Sequence, residues 1–127
     1  MKYYIGIDLG GTNIVAGVVD ENFSLIATAS NKTNAGRPAD QIAETMAQTA
    51  AQVAEKAGIS MEQIESVGIG SPGIVDSQKR EVIFASNLDF YNAPIGQLLE
   101  DRLHRPVFLA NDADAAAYGE FMAGAGK

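Results

Sequence analysis

Three runs of this sequence combine residue types that can do chemistry. The first is Asp8-Leu9-Gly10-Gly11-Thr12, near the N-terminus. Two glycines remove the Cβ atoms that would hold phosphate oxygens away from backbone amides, so such a turn can cradle phosphate without a lysine. Thr12 can donate a hydrogen bond to phosphate. Asp8 can hold Mg²⁺, directly or through water. The run is not a Walker A loop, because no Gly-Lys-Ser/Thr stands at the required spacing. An ordinary hairpin, with Asp8 as a turn residue, accounts for the same residues equally well.

The second run is Asn111-Asp112-Ala113-Asp114. It follows a short apolar segment and opens an alanine-rich one. Asn111 suits a helix N-cap, and acids in a first turn suit the helix dipole; that accounts for Asp114. Asp112 has a further reading. A carboxylate at the carboxyl end of a strand points into the crevice where ligands bind in such sheets, and it can accept a hydroxyl proton as that oxygen attacks phosphorus. Asn111 offers both donor and acceptor to a polyol. The third candidate joins Gly70-Ser71-Pro72-Gly73 with Ser86-Asn87-Leu88-Asp89-Phe90. A stiff Gly-Pro turn and the Asn87 amide are sensible parts for gripping sugar hydroxyls, although each also reads as a plain loop.

These runs need elements to position them. Residues 3–9, 13–20 and 23–30 read as three strands joined by the Gly10-Gly11 turn and by a turn at Asp20-Glu21-Asn22, which makes an antiparallel meander. Residues 31–38 read as a loop. Ile42, Met46, Ala50, Val53 and Ala57 recur at helical spacing over 39–57, and Gly58 is the stop. Residues 66–70 read as a strand, and 81–85 as a short strand paired with Ile74-Val75. Ile95, Leu98, Leu99 and Leu103 mark a second helix after Pro94, followed by a strand over 107–110 and a helix from Asn111. His104 falls at a helix end, where a cation is favourable, and reads as surface structure. Lys32, Arg37, Lys79 and Arg80 read as loop charges, with Arg37 near a cleft mouth. The order predicts an α/β domain with a mixed sheet and helices on both faces.

The chain has 127 residues, the size of one domain, and residues 1–127 read as a single unit with no internal repeat or linker. A formal net charge of −7 disfavours nucleic acid and anionic membranes as partners. The absence of cysteine excludes disulfides and thiolate metal sites within the chain. With no signal-peptide pattern at Met1-Lys2-Tyr3-Tyr4-Ile5 and no long apolar window, a cytoplasmic location is expected.

Taken together and in order, Asp-Leu-Gly-Gly-Thr-Asn, Ser-Pro-Gly, Ser-Asn-Leu and Asn-Asp-Ala-Asp-Ala-Ala-Ala-Tyr-Gly-Glu resemble the ROK family of sugar kinases and repressors, glucokinases above all, within the actin-like/ribonuclease H-like superfamily. The resemblance covers Tyr3 to Lys127. It implies a two-lobed protein with ATP and a hexose between the lobes, of which this chain is the N-terminal lobe. Asp8, Gly10, Gly11, Thr12 and Asn13 would form the first phosphate loop, with Mg²⁺ at Asp8. Asp112 would be the general base for the sugar 6-hydroxyl, and Gly73, Asn87, Asn111 and Asp112 would line the sugar site. Glucose is the hexose implied. The second phosphate loop, the adenosine pocket and a structural zinc site would belong to a second lobe absent from this chain. The fragment is therefore expected to be inactive and to expose a surface through which it could form a homodimer. One departure stands out: Asp89-Phe90 replace a Gly-Trp pair common in the family, at positions that bear on hexose preference. Two alternatives are a regulator of the same family and a non-catalytic sugar-binding module. A regulator would need a helix-turn-helix ahead of this lobe, and the turn begins at residue 8. A nuclease on the same fold would leave the glycine pair and the asparagines unexplained.

Overall fold

The computed structural model describes residues 1–111. The chain opens with β1 (Tyr3–Leu9), β2 (Asn13–Asp20) and β3 (Leu25–Lys32), continues through α1 (Ala39–Ala57) to β4 (Ile64–Ser71), then forms β5 (Ile74–Asp76), β6 (Glu81–Ala85) and β7 (Phe90–Ala93), and closes with α2 (Ile95–Leu103) and β8 (Val107–Asn111). Five strands form a sheet in the order β3-β2-β1-β4-β8, and three form a second sheet in the order β5-β6-β7. In the larger sheet β2 runs antiparallel to β1 and β3, whereas β1, β4 and β8 are parallel neighbours. The expected meander and mixed sheet are both present.

Strand alternation explains the layering. Ile5, Ile7 and Leu9 are buried, as are Ile14, Ala16 and Val18 of β2, Val67 and Ile69 of β4, and Val107 and Leu109 of β8. Cross-strand register sets these residues side by side on one face of the sheet. They join Ile42, Met46 and Val53 of α1 and Ile95 and Leu99 of α2 in one core cluster. Full burial of each Val, Leu, Ile or Met among them stabilises the fold by roughly 1.5–3 kcal/mol. The two described helices therefore cover the same face. The further helix expected from Asn111 onward lies outside the described residues.

Local chemistry sets the ends of the elements. Gly58 closes α1 in the left-handed conformation, φ 75°, and its N–H donates to Glu55 O at 3.0 Å while Ile59 N donates to Ala54 O at 3.1 Å. His104 ends α2 in the same conformation, φ 57°. The third strand begins two residues later than its composition predicts. Asp20 Oδ1 accepts from Asn22 N and Ser24 N, and Phe23 is left-handed with φ 60°, so residues 21–24 form a turn. In compensation β3 runs on through Asn31 and Lys32, which read as loop in the sequence. The pairing expected between Ile74-Val75 and residues 81–85 is present, but the hairpin has a third strand. Phe90–Ala93, for which the sequence predicts no strand, pairs with β6 as Phe84↔Tyr91 and Ala85↔Phe90. Phe90 is fully buried there. A strand of four residues is too short for its period of two to stand out from a loop.

Candidate phosphate and sugar site

The parallel strands β1, β4 and β8 all end at one edge of the sheet, and Asp8, Gly10, Gly11 and Asn111 of the expected site lie at those ends. Asp8, exposed near the end of β1, is in register with Gly70 of β4; Ser71, the last residue of β4, is in register with Asn111, the last of β8. This is the carboxyl edge at which open α/β sheets bind ligands. Asn111 ends a strand here and is half-buried. Asp112, expected as the general base, lies outside the described residues.

The Gly10-Gly11-Thr12 turn is a tight hairpin connection closed by Gly10 N donating to Asn13 O at 3.0 Å. Thr12 and Asn13 are exposed. A Cβ built on Gly10 would stand 2.8 Å from Asn13 O, and one built on Gly11 would stand 3.0 Å from Asn87 Nδ2. The glycine pair thus serves two ends: Gly10 allows the turn to close, and Gly11 allows the Asn87 amide to rest against it. Asn87 is held in a short 3-10 turn, Ser86–Leu88, whose Leu88 is anchored in the core. Gly73 is left-handed, φ 87°, and a Cβ there would collide with Phe84 O and press on Ala85. Gly73 therefore has to be glycine both for its backbone and for the close approach of β6.

Two features that support this edge have no signature in the sequence. Thr33 is fully buried. Its Oγ1 donates to Gly10 O at 2.7 Å, and its backbone N donates to Thr12 O at 2.9 Å. The two arginines expected as loop charges are structural anchors instead. Arg37 Nη2 donates to Thr33 O at 2.7 Å and to Thr45 Oγ1 at 3.0 Å. Arg80 Nη1 donates to Glu100 Oε1 at 2.5 Å and to Val107 O at 3.2 Å, and its Nη2 donates to Gln97 Oε1 at 2.8 Å. These partners are 4 to 27 residues away in the chain, and the distant ones leave no local pattern. Asp89, one of the two departures from the family pattern, occupies a left-handed position with φ 57°, a conformation that a glycine adopts without strain.

The donor set fits a magnesium-bound phosphate in part. Mg²⁺ commonly takes one or two carboxylates and fills its other positions with phosphate oxygens and water. Asp8 offers one exposed carboxylate at the mouth of a turn whose first two residues carry no side chain. Among the described residues no group of three His, Cys, Asp or Glu side chains could hold a metal without such help. When bound, the ion would neutralise phosphate charge; the residues in hand would position the phosphate and the sugar.

This architecture is the mixed sheet of the actin-like ATPase fold. A family model described as "ROK family" matches residues 4–127, and the chain belongs to that family. It is 41% identical over 127 residues to a glucokinase of Streptomyces coelicolor, covering 100% of this chain and 38% of that protein. Among solved structures it resembles a ROK family glucokinase from Streptomyces griseus in complex with glucose and AMPPNP, with a TM-score of 0.82, 39% identity and coverage of 98% of this chain and 38% of the other. It also resembles a ROK hexokinase from Thermus thermophilus, with a TM-score of 0.81, 35% identity and coverage of 93% and 38%. The chain spans about 38% of the length of these relatives. No helix among the described residues is long and apolar enough to cross a membrane.

Proposed function

We propose that this chain is the N-terminal lobe of an ATP-dependent, cytoplasmic hexose kinase that phosphorylates the 6-hydroxyl of glucose. The observation that carries the reading is the meeting of two loops: the glycine turn and the Asn87 amide approach so closely at Gly11 that a Cβ there would stand 3.0 Å from Asn87 Nδ2. A phosphoryl donor on the first and a hydroxyl on the second would then lie in one place, and positioning is most of what phosphoryl transfer requires. The likeness to a glucokinase solved with glucose and AMPPNP supports the same choice of ligands.

In this proposal Asp8 holds Mg²⁺ on the phosphates, directly or through water, and Gly10, Gly11, Thr12 and Asn13 surround them. Gly73, Asn87 and Asn111 hold sugar hydroxyls. Asp112 accepts the proton of the 6-hydroxyl as its oxygen bonds to the γ-phosphorus, the bond from that phosphorus to the bridging oxygen breaks, and ADP departs. The test is a coupled ATP/glucose assay of the longer protein carrying this lobe, with Asp8→Asn and Asp112→Asn variants. Each is expected to lower kcat/KM at least about a hundredfold. Glucose binding without any turnover would instead favour a non-catalytic sugar-binding module. The 127-residue chain alone, spanning 38% of its relatives, is proposed to turn over no glucose, because it offers one side of the cleft.

A further inference from the structure

We propose that Thr33 is a positioning residue that sets the phosphate turn, with Arg37 as its brace; this rests on the reading of Gly10-Gly11-Thr12 as a phosphate cradle. Thr33 sits just beyond β3, outside the turn in sequence, and is fully buried. It engages the turn at two points, through Oγ1 to Gly10 O at 2.7 Å and through its N–H to Thr12 O at 2.9 Å. The two carbonyls it takes are those on either side of Gly11.

The consequence follows from peptide geometry. No cis peptide bond occurs among the described residues, so the C=O of Gly10 and the N–H of Gly11 point in opposite directions across one plane. Drawing Gly10 O toward Thr33 turns the Gly11 N–H away from Thr33. The hydroxyl thereby chooses the orientation of an amide in a turn whose glycines could otherwise adopt many. A preorganised N–H costs no reordering when an anion arrives, which is where such donors gain their strength.

The anchor is itself held. Arg37 donates from Nη2 to Thr33 O and to Thr45 Oγ1, and from Nε to Asn34 O at 3.2 Å. Thr45 belongs to α1. A continuous chain of bonds therefore runs from the long helix through Arg37 and Thr33 to the turn, so the turn is tied to α1 as well as closed by its own Gly10 N to Asn13 O bond.

The experiment is a nuclear magnetic resonance titration of the 127-residue chain with magnesium tripolyphosphate into the tens of millimolar, following the Gly11 amide in wild type, Thr33→Val and Thr33→Ser. Valine keeps the shape and the backbone N–H bond and removes the hydroxyl; serine restores it. Thermal melts of all three monitor folding. Support would be wild-type binding, a loss of about fivefold or more in affinity for Thr33→Val, and recovery to within about twofold in Thr33→Ser. Equal affinities for wild type and Thr33→Val, with the Gly11 shift change intact, would overturn the positioning role and leave the phosphate turn standing. Absence of any Gly11 response in wild type would overturn both. If Thr33→Val fails to fold, Arg37→Lys decides. Lysine keeps the charge but cannot hold three acceptors with a rigid fork. A several-fold weaker response at an unchanged melting temperature would support the brace, and an unchanged response would refute it.

Discussion

At the scale of single residues, close approach decides more than charge does. Gly11 lies close to Asn87, and a Cβ built on it would stand 3.0 Å from Asn87 Nδ2. Gly11→Ala must push the amide aside, so affinities for phosphate and for hexose should fall together, by several-fold each in paired titrations. A variant that harmed one ligand alone would contradict the shared contact. Asp89 makes the opposite case. Its left-handed backbone, φ 57°, costs a side-chain-bearing residue about 1 kcal/mol. Asp89→Gly is expected to hold or raise stability, whereas the β-branched Asp89→Val should lower it by more than about 1 kcal/mol in urea melts.

At the scale of elements, Arg80 ties the small sheet to the large one, beside the packing of Val82, Ala85, Leu88 and Phe90 into the shared core. Arg80, left-handed with φ 58°, ends the turn between β5 and β6. It bonds to Glu100 and Gln97 of α2 and to Val107 O of β8. Gly96 leaves room for it: a Cβ there would collide with the Arg80 side chain. The Arg80–Glu100 pair is partly exposed, at 22% and 37%, so its charge attraction alone is worth little. The contact with Val107 O adds a hydrogen bond that Arg80→Lys would not rebuild with the same fork. Arg80→Ala should therefore destabilise by about 1 kcal/mol or more, read as a lower urea midpoint at constant slope. Because β5, β6 and the Ser86–Leu88 turn carry Gly73 and Asn87, the same variant should weaken hexose binding; full affinity in a destabilised variant would separate the latch from the site.

At the scale of the whole molecule, the two faces of the large sheet differ. Among the described residues the face toward α1 and α2 is buried; on the other, Val19 is buried, whereas Phe108 is 56% exposed and Val15 is 39% exposed. Phe108 is in register with Gly68, which is in register with Gly6, itself opposite Gly17, so the aromatic ring stands beside a row without side chains. Apolar surface of this kind favours association. The chain is expected to form concentration-dependent dimers in sedimentation experiments, and Phe108→Ser should shift it toward monomer. A monomer at every concentration tested would remove the homodimer expectation.

Legibility followed the range of the interactions involved. The meander, the helix over 39–57 with its Gly58 stop, and the chemical identity of Asp8, the glycine turn, Asn87 and Asn111 were readable because periodicity, turn chemistry and motif order are local properties. Strand β7 was not, since four residues between a left-handed Asp89 and Pro94 show too little periodicity. Thr33, Arg37 and Arg80 were not, because their meaning lies in partners brought near only by folding: a hydroxyl beside Gly10 O, a guanidinium between Thr33 and α1, another between a hairpin and β8. Sequence alone thus determined which polar groups and glycines are available at the strand ends. The tertiary structure decided that Gly11 and Asn87 meet, and which buried side chains hold the turn in place, because hydrogen bonds and steric clearance depend on distances in space that spacing along the chain does not encode.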